Sequence, residues 1–281
     1  MDNDTYTESS DATGREAIQH RLEALIRENR FTIAVVFPAI GAATILASAE
    51  GLLPEPLSFN PYFLLFGAAV MALPLIAGVV PLVTRTAAAG IALLCLYTWG
   101  IELTGVLTGY PYGGFEYGVQ LGPMLFGLVP AALPVFFLPI VLNAYLLCLL
   151  VLGDAAHDAR VRLPVVIAAV VGMDLVLDPA AVSVGFWAFD AGGAYYGVPW
   201  SNYAGWMLSA TVAVVVLDYV FDREALLARL DACRFMLDDL VSFLILWGAV
   251  NAYFGNWIPA ALAIAYGYGL WSTDQFDFPT R

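Results

Sequence analysis

Apolar residues in this chain gather into long runs, and polar residues collect between them. Residues 32–49, 62–83, 87–106, 128–152, 163–182, 203–221 and 237–254 are such runs. Each approaches or exceeds the roughly 20 residues that a helix needs to cross the hydrocarbon of a bilayer. Residues 257–271 form a shorter run, rich in Gly and Tyr, which fits either an eighth span or a half-inserted segment. Ahead of the first run, Ile18, Leu22, Leu25 and Ile26 recur at helical spacing between Arg15 and Arg30, predicting a short amphipathic helix on the membrane surface. The chain therefore reads as all-α, a polytopic transmembrane bundle of about eight spans. An acidic N-terminal tail carrying the amphipathic helix occupies residues 1–30, a single transmembrane domain 31–272, and a polar tail 273–281.

Two connections depart from the pattern. Residues 107–127 read LTGYPYGGFEYGVQLGPMLFG and residues 183–206 read SVGFWAFDAGGAYYGVPWSNYAGW. Both are crowded with glycine and aromatics and contain no lysine or arginine, whereas plain connectors tend to be polar. Glycine permits tight turns and aromatics can pave an apolar cavity, so these segments are expected to fold back over the bundle as lids or re-entrant pieces. The alternative, an aromatic belt at the headgroup level, would not need so many glycines.

Composition agrees with a lipid solvent: 61% of residues are apolar, 12% are charged, and the mean hydropathy is +0.79. All eleven basic residues are arginine. They lie at 15, 21, 27 and 30, at 85, at 160 and 162, at 223, 229 and 234, and at 281, always in alternate connections if the spans number eight. By the positive-inside bias both termini are then cytoplasmic and the two glycine-aromatic segments lie on the opposite side. The absence of lysine excludes a retinal protein, whose Schiff base needs a lysine amine. The net charge of −13 argues against nucleic acid as a partner, and acidic, lysine-free ends suggest a halophile. His20 and His157 lie in polar segments, and Cys95, Cys148 and Cys233 have no metal-ligand spacing and read as small core residues. No metal and no cofactor is expected.

The candidate chemistry is carried by acids inside apolar runs, where ionisable groups are rare. These are Glu102, Asp174, Asp178 and Asp218. Asp174 and Asp178 are four residues apart and share a helix face, in the outer half of their span, as Glu102 is. Asp218, near an inner end, fits a group that simply reaches the cytoplasmic surface. The three outer acids have no basic residue in any run to pair with. An acid without a cationic partner in a low dielectric tends to hold its proton, and a neutral acid beside a charged carboxylate suits general acid and base work. The structural alternative is protonated acids bonded across helices, or Asp178 capping a break at Pro179. The Asp174–Asp178 spacing also suits a magnesium–diphosphate site, but no Lys or Arg stands nearby to hold a diphosphate.

The stretch from Glu102-x-x-Gly105 through TGYPYGGFEYGVQLGPMLFGLVP, and then GMDLVLDPAAVSVGFWAFDAGGAYYGVPWSNYAGW, resembles the carotenoid hydratases of haloarchaea and bacteria. The span pattern resembles theirs over nearly the whole chain apart from the first thirty residues. The resemblance implies addition of water to the terminal double bonds of a long acyclic carotenoid, in haloarchaea the last step toward the C50 pigment bacterioruberin. It brings no catalytic residues with it, so the site is assigned from the residues themselves. Asp174 is the expected proton donor, lying deepest in its span. Asp178 and Glu102 are expected to place and deprotonate the attacking water, with Asn202 as an orienting amide. Tyr110, Tyr112, Phe115, Tyr117, Phe186, Trp187, Tyr195, Tyr196, Trp200, Tyr203 and Trp206 are expected to line the pocket and stabilise a carbocation. The expected partners are a lipid-soluble carotenoid, the bilayer, and other membrane enzymes of the same pathway. Competing readings are a cyclase or prenyltransferase of similar build, and a proton-coupled transporter, although the chain has none of the internal repeats that transporters show.

Overall fold

Without water to bond to, each backbone N–H and C=O must find a partner in the chain, and a helix supplies one locally. Every apolar run is accordingly helical over most of its length in the computed structural model, which describes residues 4–273 and Asp277. The helices are α1 (Asp4–Glu28), α2 (Phe37–Ala49, entered through a π-helical stretch at Thr32–Val36), α3 (Pro61–Val79), α4 (Arg85–Thr108) and α5 (Leu133–Leu152). They continue with α6 (Ala159–Ser183), α7 (Trp200–Val220), α8 (Arg223–Ala232), α9 (Asp238–Phe254) and α10 (Trp257–Trp271). The remaining residues of the expected tails, 1–3, 274–276 and 278–281, lie outside the described residues. The surface helix is longer than the short one expected, starting at Asp4.

Among the described residues, six helical segments are long and apolar enough to cross a membrane, and the chain is a multi-pass membrane protein. α9 and α10, with 17 and 15 residues, are shorter. They are joined across Gly255 and Asn256 and pack on each other and on α6. More than half of the apolar stretch of α5 and of α6 is buried, against 22% for α4, which places α5 and α6 at the centre and α4 at the rim. Tyr145, Leu146, Leu149, Met173, Leu217 and Leu240 form the packed interior between them and α7 and α9.

Polar side chains fix the ends of the helices. Asn60 accepts from the backbone N–H of Tyr62 and Phe63 to start α3, Thr84 Oγ1 accepts from Ala87 to start α4, and Asp158 accepts from Arg160 to start α6. The arginine-bearing ends gather on one side. There Arg229 bonds Glu23 of α1 at 2.6 Å and the Gly78 carbonyl of α3 at 3.0 Å, and Arg30 pairs with Asp238 of α9 at 2.7 Å. Gln19 of α1 donates to the Ala77 carbonyl, so the surface helix is tied to the bundle.

On the opposite side the two glycine-aromatic segments are zipped together. β1 (Phe115–Tyr117) pairs antiparallel with β4 (Trp187–Phe189), with Phe115 opposite Phe189 and Tyr117 opposite Trp187. β2 (Met124–Leu125) pairs with β3 (Val129–Pro130). These four short strands modify the all-α expectation, and β3 takes residues that were assigned to the fifth helix. That helix starts at Leu133 rather than 128, after a turn at Gly127 with φ 72°. α6 is not broken at Pro179 but runs through to Ser183. Proline removes the N–H that would bond the Leu175 carbonyl, and the Tyr195 hydroxyl donates to that carbonyl instead at 3.4 Å.

Candidate active site

Side chains alternate across a strand, so Phe115 and Tyr117 of β1 point one way and Glu116 the other. The alternation is visible as exposure: Glu116 and Ala188 face out, while Phe115, Tyr117, Trp187 and Phe189 turn toward the bundle. Beneath them lies a cavity of about 480 Å³. The first glycine-aromatic segment approaches α7 closely at Gly205, where a Cβ would run into the Tyr112 ring. Tyr112 is held there by its hydroxyl, 2.7 Å from Ser209 Oγ, which also meets the Tyr97 hydroxyl at 3.1 Å.

Three helices bring the polar groups to the cavity head. α4 carries Glu102, α6 carries Asp178, and α7 carries Asn202, all in the cavity wall. The Tyr117 hydroxyl donates to Glu102 Oε1. Burial, and then the Glu102 charge, holds the Tyr117 phenol well above its ordinary pKa, so it stays a donor. Asn202 Nδ2 donates to Asp178 Oδ2 and, at 3.3 Å, to Asp174 Oδ2. Asp174 is fully buried one turn away and is not in the cavity wall. Its Oδ1 has no hydrogen-bond partner among the described residues, nor has the Tyr203 hydroxyl. No ion pair among the described residues involves Glu102, Asp174 or Asp178.

Tyr112, Phe115, Tyr117, Phe186, Trp187, Asn202 and Trp206 all stand in the cavity wall. Tyr110 and Trp200 do not. They are 68% and 64% exposed, because the first ends a turn after α4 and the second opens α7 on its outer face. Tyr195, Tyr196 and Tyr203 are also away from the cavity. They form an aromatic cluster with Trp200, with Tyr195 and Tyr203 rings 5.7 Å apart and Trp200 and Tyr203 rings 5.8 Å apart. Asp218 is far from the cavity head, partly exposed and paired: Arg162 donates to it at 2.7 and 2.9 Å and the Tyr145 hydroxyl at 2.6 Å. Cys148 and Cys233 are buried and Cys95 half-buried, all as free thiols.

Sequence reasoning missed two parts of the cavity. One is a wall from α2 and α3, where Ile40, Phe63 and Phe66 line the space while remaining 60%, 56% and 61% exposed. Residues that both line the cavity and face outward mark a lateral opening toward lipid. The other is a second polar point, Asn143 of α5 and Asp239 of α9, bonded to each other at 2.6 Å. Asn143 stood in the sequence as an amide within an apolar run, which is itself a signal; Asp239 was hidden at the boundary of its run.

Residues 59–270 match the family described as "Carotenoid biosynthesis protein". A bisanhydrobacterioruberin hydratase from Haloarcula japonica is 60% identical over 258 residues, covering 92% of this chain and 88% of that protein. No solved structure matches the chain.

Proposed function

We propose that this chain, which belongs to the carotenoid biosynthesis protein family, is a hydratase that adds water across a terminal double bond of a long acyclic carotenoid. The observation that carries the reading is the cavity head. Glu102, Asp178 and Asn202 stand in a wall otherwise made of aromatic and aliphatic side chains. Protonation of a trisubstituted alkene at its less substituted carbon gives a tertiary cation. That cation is stabilised by π faces, which Trp187 and Trp206 offer, and is captured by water.

Asp178 is the donor in this scheme. Its O–H bond breaks as the alkene π pair forms the new C–H bond. A water oxygen then bonds to the tertiary carbon, and Glu102, oriented by Tyr117, takes the proton that the water loses. Asp178 ends charged and Glu102 neutral, and one proton passing back between them resets the site. Asp174 is reassigned from donor to positioning residue because it does not reach the cavity; it shares the Asn202 amide with Asp178. Nothing in the step calls for an electron carrier or a metal. The relative's name supplies bisanhydrobacterioruberin as the substrate to try first.

The cavity has the size that accommodates a drug-sized molecule, roughly 300–1,000 Å³, so it takes one end of a C50 chain while the rest lies in lipid at the α2–α3 opening. The arginine-bearing ends face the cytoplasm, with eight passes and both termini inside, on the positive-inside bias. The test is the mass of the product formed by purified protein in lipid from bisanhydrobacterioruberin. Gain of one water per event supports hydration, an isomer of unchanged mass supports cyclisation, and recovery of unchanged substrate overturns both.

A further inference from the structure

The Asn143–Asp239 pair has no part in the scheme above, yet it lines the same cavity as Glu102 and Asp178. Both residues are buried, at 1% and 6% exposure. Asn143 Nδ2 donates to Asp239 Oδ2 at 2.6 Å, and Asn143 Oδ1 has no hydrogen-bond partner among the described residues. No cation pairs with Asp239 among the described residues; the neighbouring Asp238 takes Arg30, and Ser242 bonds to backbone. A buried acceptor left unpaired is costly, and a structural pair would ordinarily be satisfied on both sides. At ~1.5 Å per helical residue, Asn143 lies about 15 Å along α5 from Leu133, and Asp178 about 7.5 Å back along α6 from Ser183.

We infer that Asn143 and Asp239 form a hydroxyl-binding subsite, which selects a carotenoid end carrying a hydroxyl group a few bonds from the double bond that reacts at Asp178. The ligand hydroxyl donates to Asn143 Oδ1, and Asp239 holds the amide turned so that this oxygen faces the chain. The role is one of specificity and rests on the hydratase reading. A site built to bond a hydroxyl rejects a ligand lacking one, because its own polar groups are then left unpaired.

The experiment uses the full chain in lipid and two acyclic carotenoids with the same terminal alkene, one with a nearby hydroxyl and one with hydrogen in its place. Equilibrium binding, read from the pigment absorbance shift, and kcat/KM are measured for both. Wild-type protein is expected to prefer the hydroxylated carotenoid by at least ~10-fold in both measurements. Asn143→Leu is expected to bring the two within ~3-fold of each other, mostly through KM. Asp239→Asn, which keeps the amide partner, is expected to retain the preference. The subsite is overturned if wild type does not discriminate, if Asn143→Leu keeps the preference, or if Asp239→Asn abolishes turnover of both carotenoids, which would make Asp239 a proton-transfer group. If neither carotenoid is hydrated but binding still shows the preference and its loss in Asn143→Leu, the hydratase reading fails and the subsite stands. Should Asn143→Leu not accumulate in the membrane, Asn143→Gln, whose longer arm displaces the same oxygen, gives the same comparison.

Discussion

Asp174 and Asp178 lie one turn apart on α6 and share one amide, yet only Asp178 is in the cavity wall. Depth in the span, the criterion that singled out Asp174 in the sequence, measures distance from water and not distance from substrate. The structure therefore ranks the variants. Asp178→Asn and Glu102→Gln should each lower hydration by ~10²–10⁴-fold, the usual worth of a general acid or base, while Asp174→Asn should cost less, and cells should accumulate the unhydrated carotenoid with normal protein in the membrane. Near-wild-type hydration in both Asp178→Asn and Glu102→Gln would move the chemistry elsewhere. Asp218→Ala should behave in the opposite way. It leaves the Arg162 guanidinium, 3% exposed, without its carboxylate, so the detergent-solubilised protein should lose about 3–5 kcal/mol of stability in thermal unfolding with the product spectrum unchanged. The acids themselves were legible because charge inside an apolar run is rare. The ion pair of Asp218 was not legible, because its partner, Arg162, is 56 residues away and precedes its own apolar run.

At the scale of the element, the helices could be read from run length and polar punctuation, and the folding back of the two glycine-aromatic segments from their composition, but not the strands within them. Phe115–Tyr117 and Trp187–Phe189 are three residues each, too short for alternation to stand out from a glycine-rich background, and their pairing joins positions about seventy residues apart. The same shortness misplaced the start of α5, since residues 128–132 are apolar enough to continue a helix but follow the left-handed turn at Gly127, and Val129 and Pro130 pair with β2. Their consequence is functional, because the strand alternation is what turns Tyr117 and Trp187 to the cavity and leaves Glu116 and Ala188 outside. Glu116 and Ala188 are directly opposed, so their side chains are at disulfide range. Glu116→Cys with Ala188→Cys should crosslink under mild oxidation, seen as a shift in gel mobility that thiol reductant reverses. Failure to crosslink would mean that the two segments do not meet.

At the scale of the whole molecule, two asymmetries set how the protein meets its membrane. Across the bilayer, arginine occupies one end and the lids the other, and labelling of intact cells tests the sign: Ser201→Cys and Thr108→Cys, both at exposed positions near the lids, should react from outside, and reaction only after lysis reverses the orientation. Around the bundle, cavity-wall residues that also face outward, Ile40 of α2, Phe63 and Phe66 of α3 and Val135 of α5, gather on one flank. That flank has no signature in the sequence, since a lipid-facing Phe and a cavity-facing Phe are the same residue to a hydropathy pattern. Gly67 offers a way to close it. It lies in the cavity wall on α3 beside Phe63 and Phe66, and a Cβ there meets nothing within 4 Å. Gly67→Trp should therefore fill the opening without disturbing the packing behind it. Gly100 on α4 is equally unobstructed but not part of the cavity wall, so Gly100→Trp is the matched control for a tryptophan added to the lipid face. If a rod-like substrate slides in from the bilayer by this route, Gly67→Trp should raise KM by ~10-fold or more with a smaller effect on kcat, because the acids and aromatics at the head are untouched. The control should match wild type in both constants. Equal kinetics for the two tryptophan variants would mean that the carotenoid enters elsewhere, and the lid side would then be the route to probe with the crosslinked Glu116→Cys and Ala188→Cys protein.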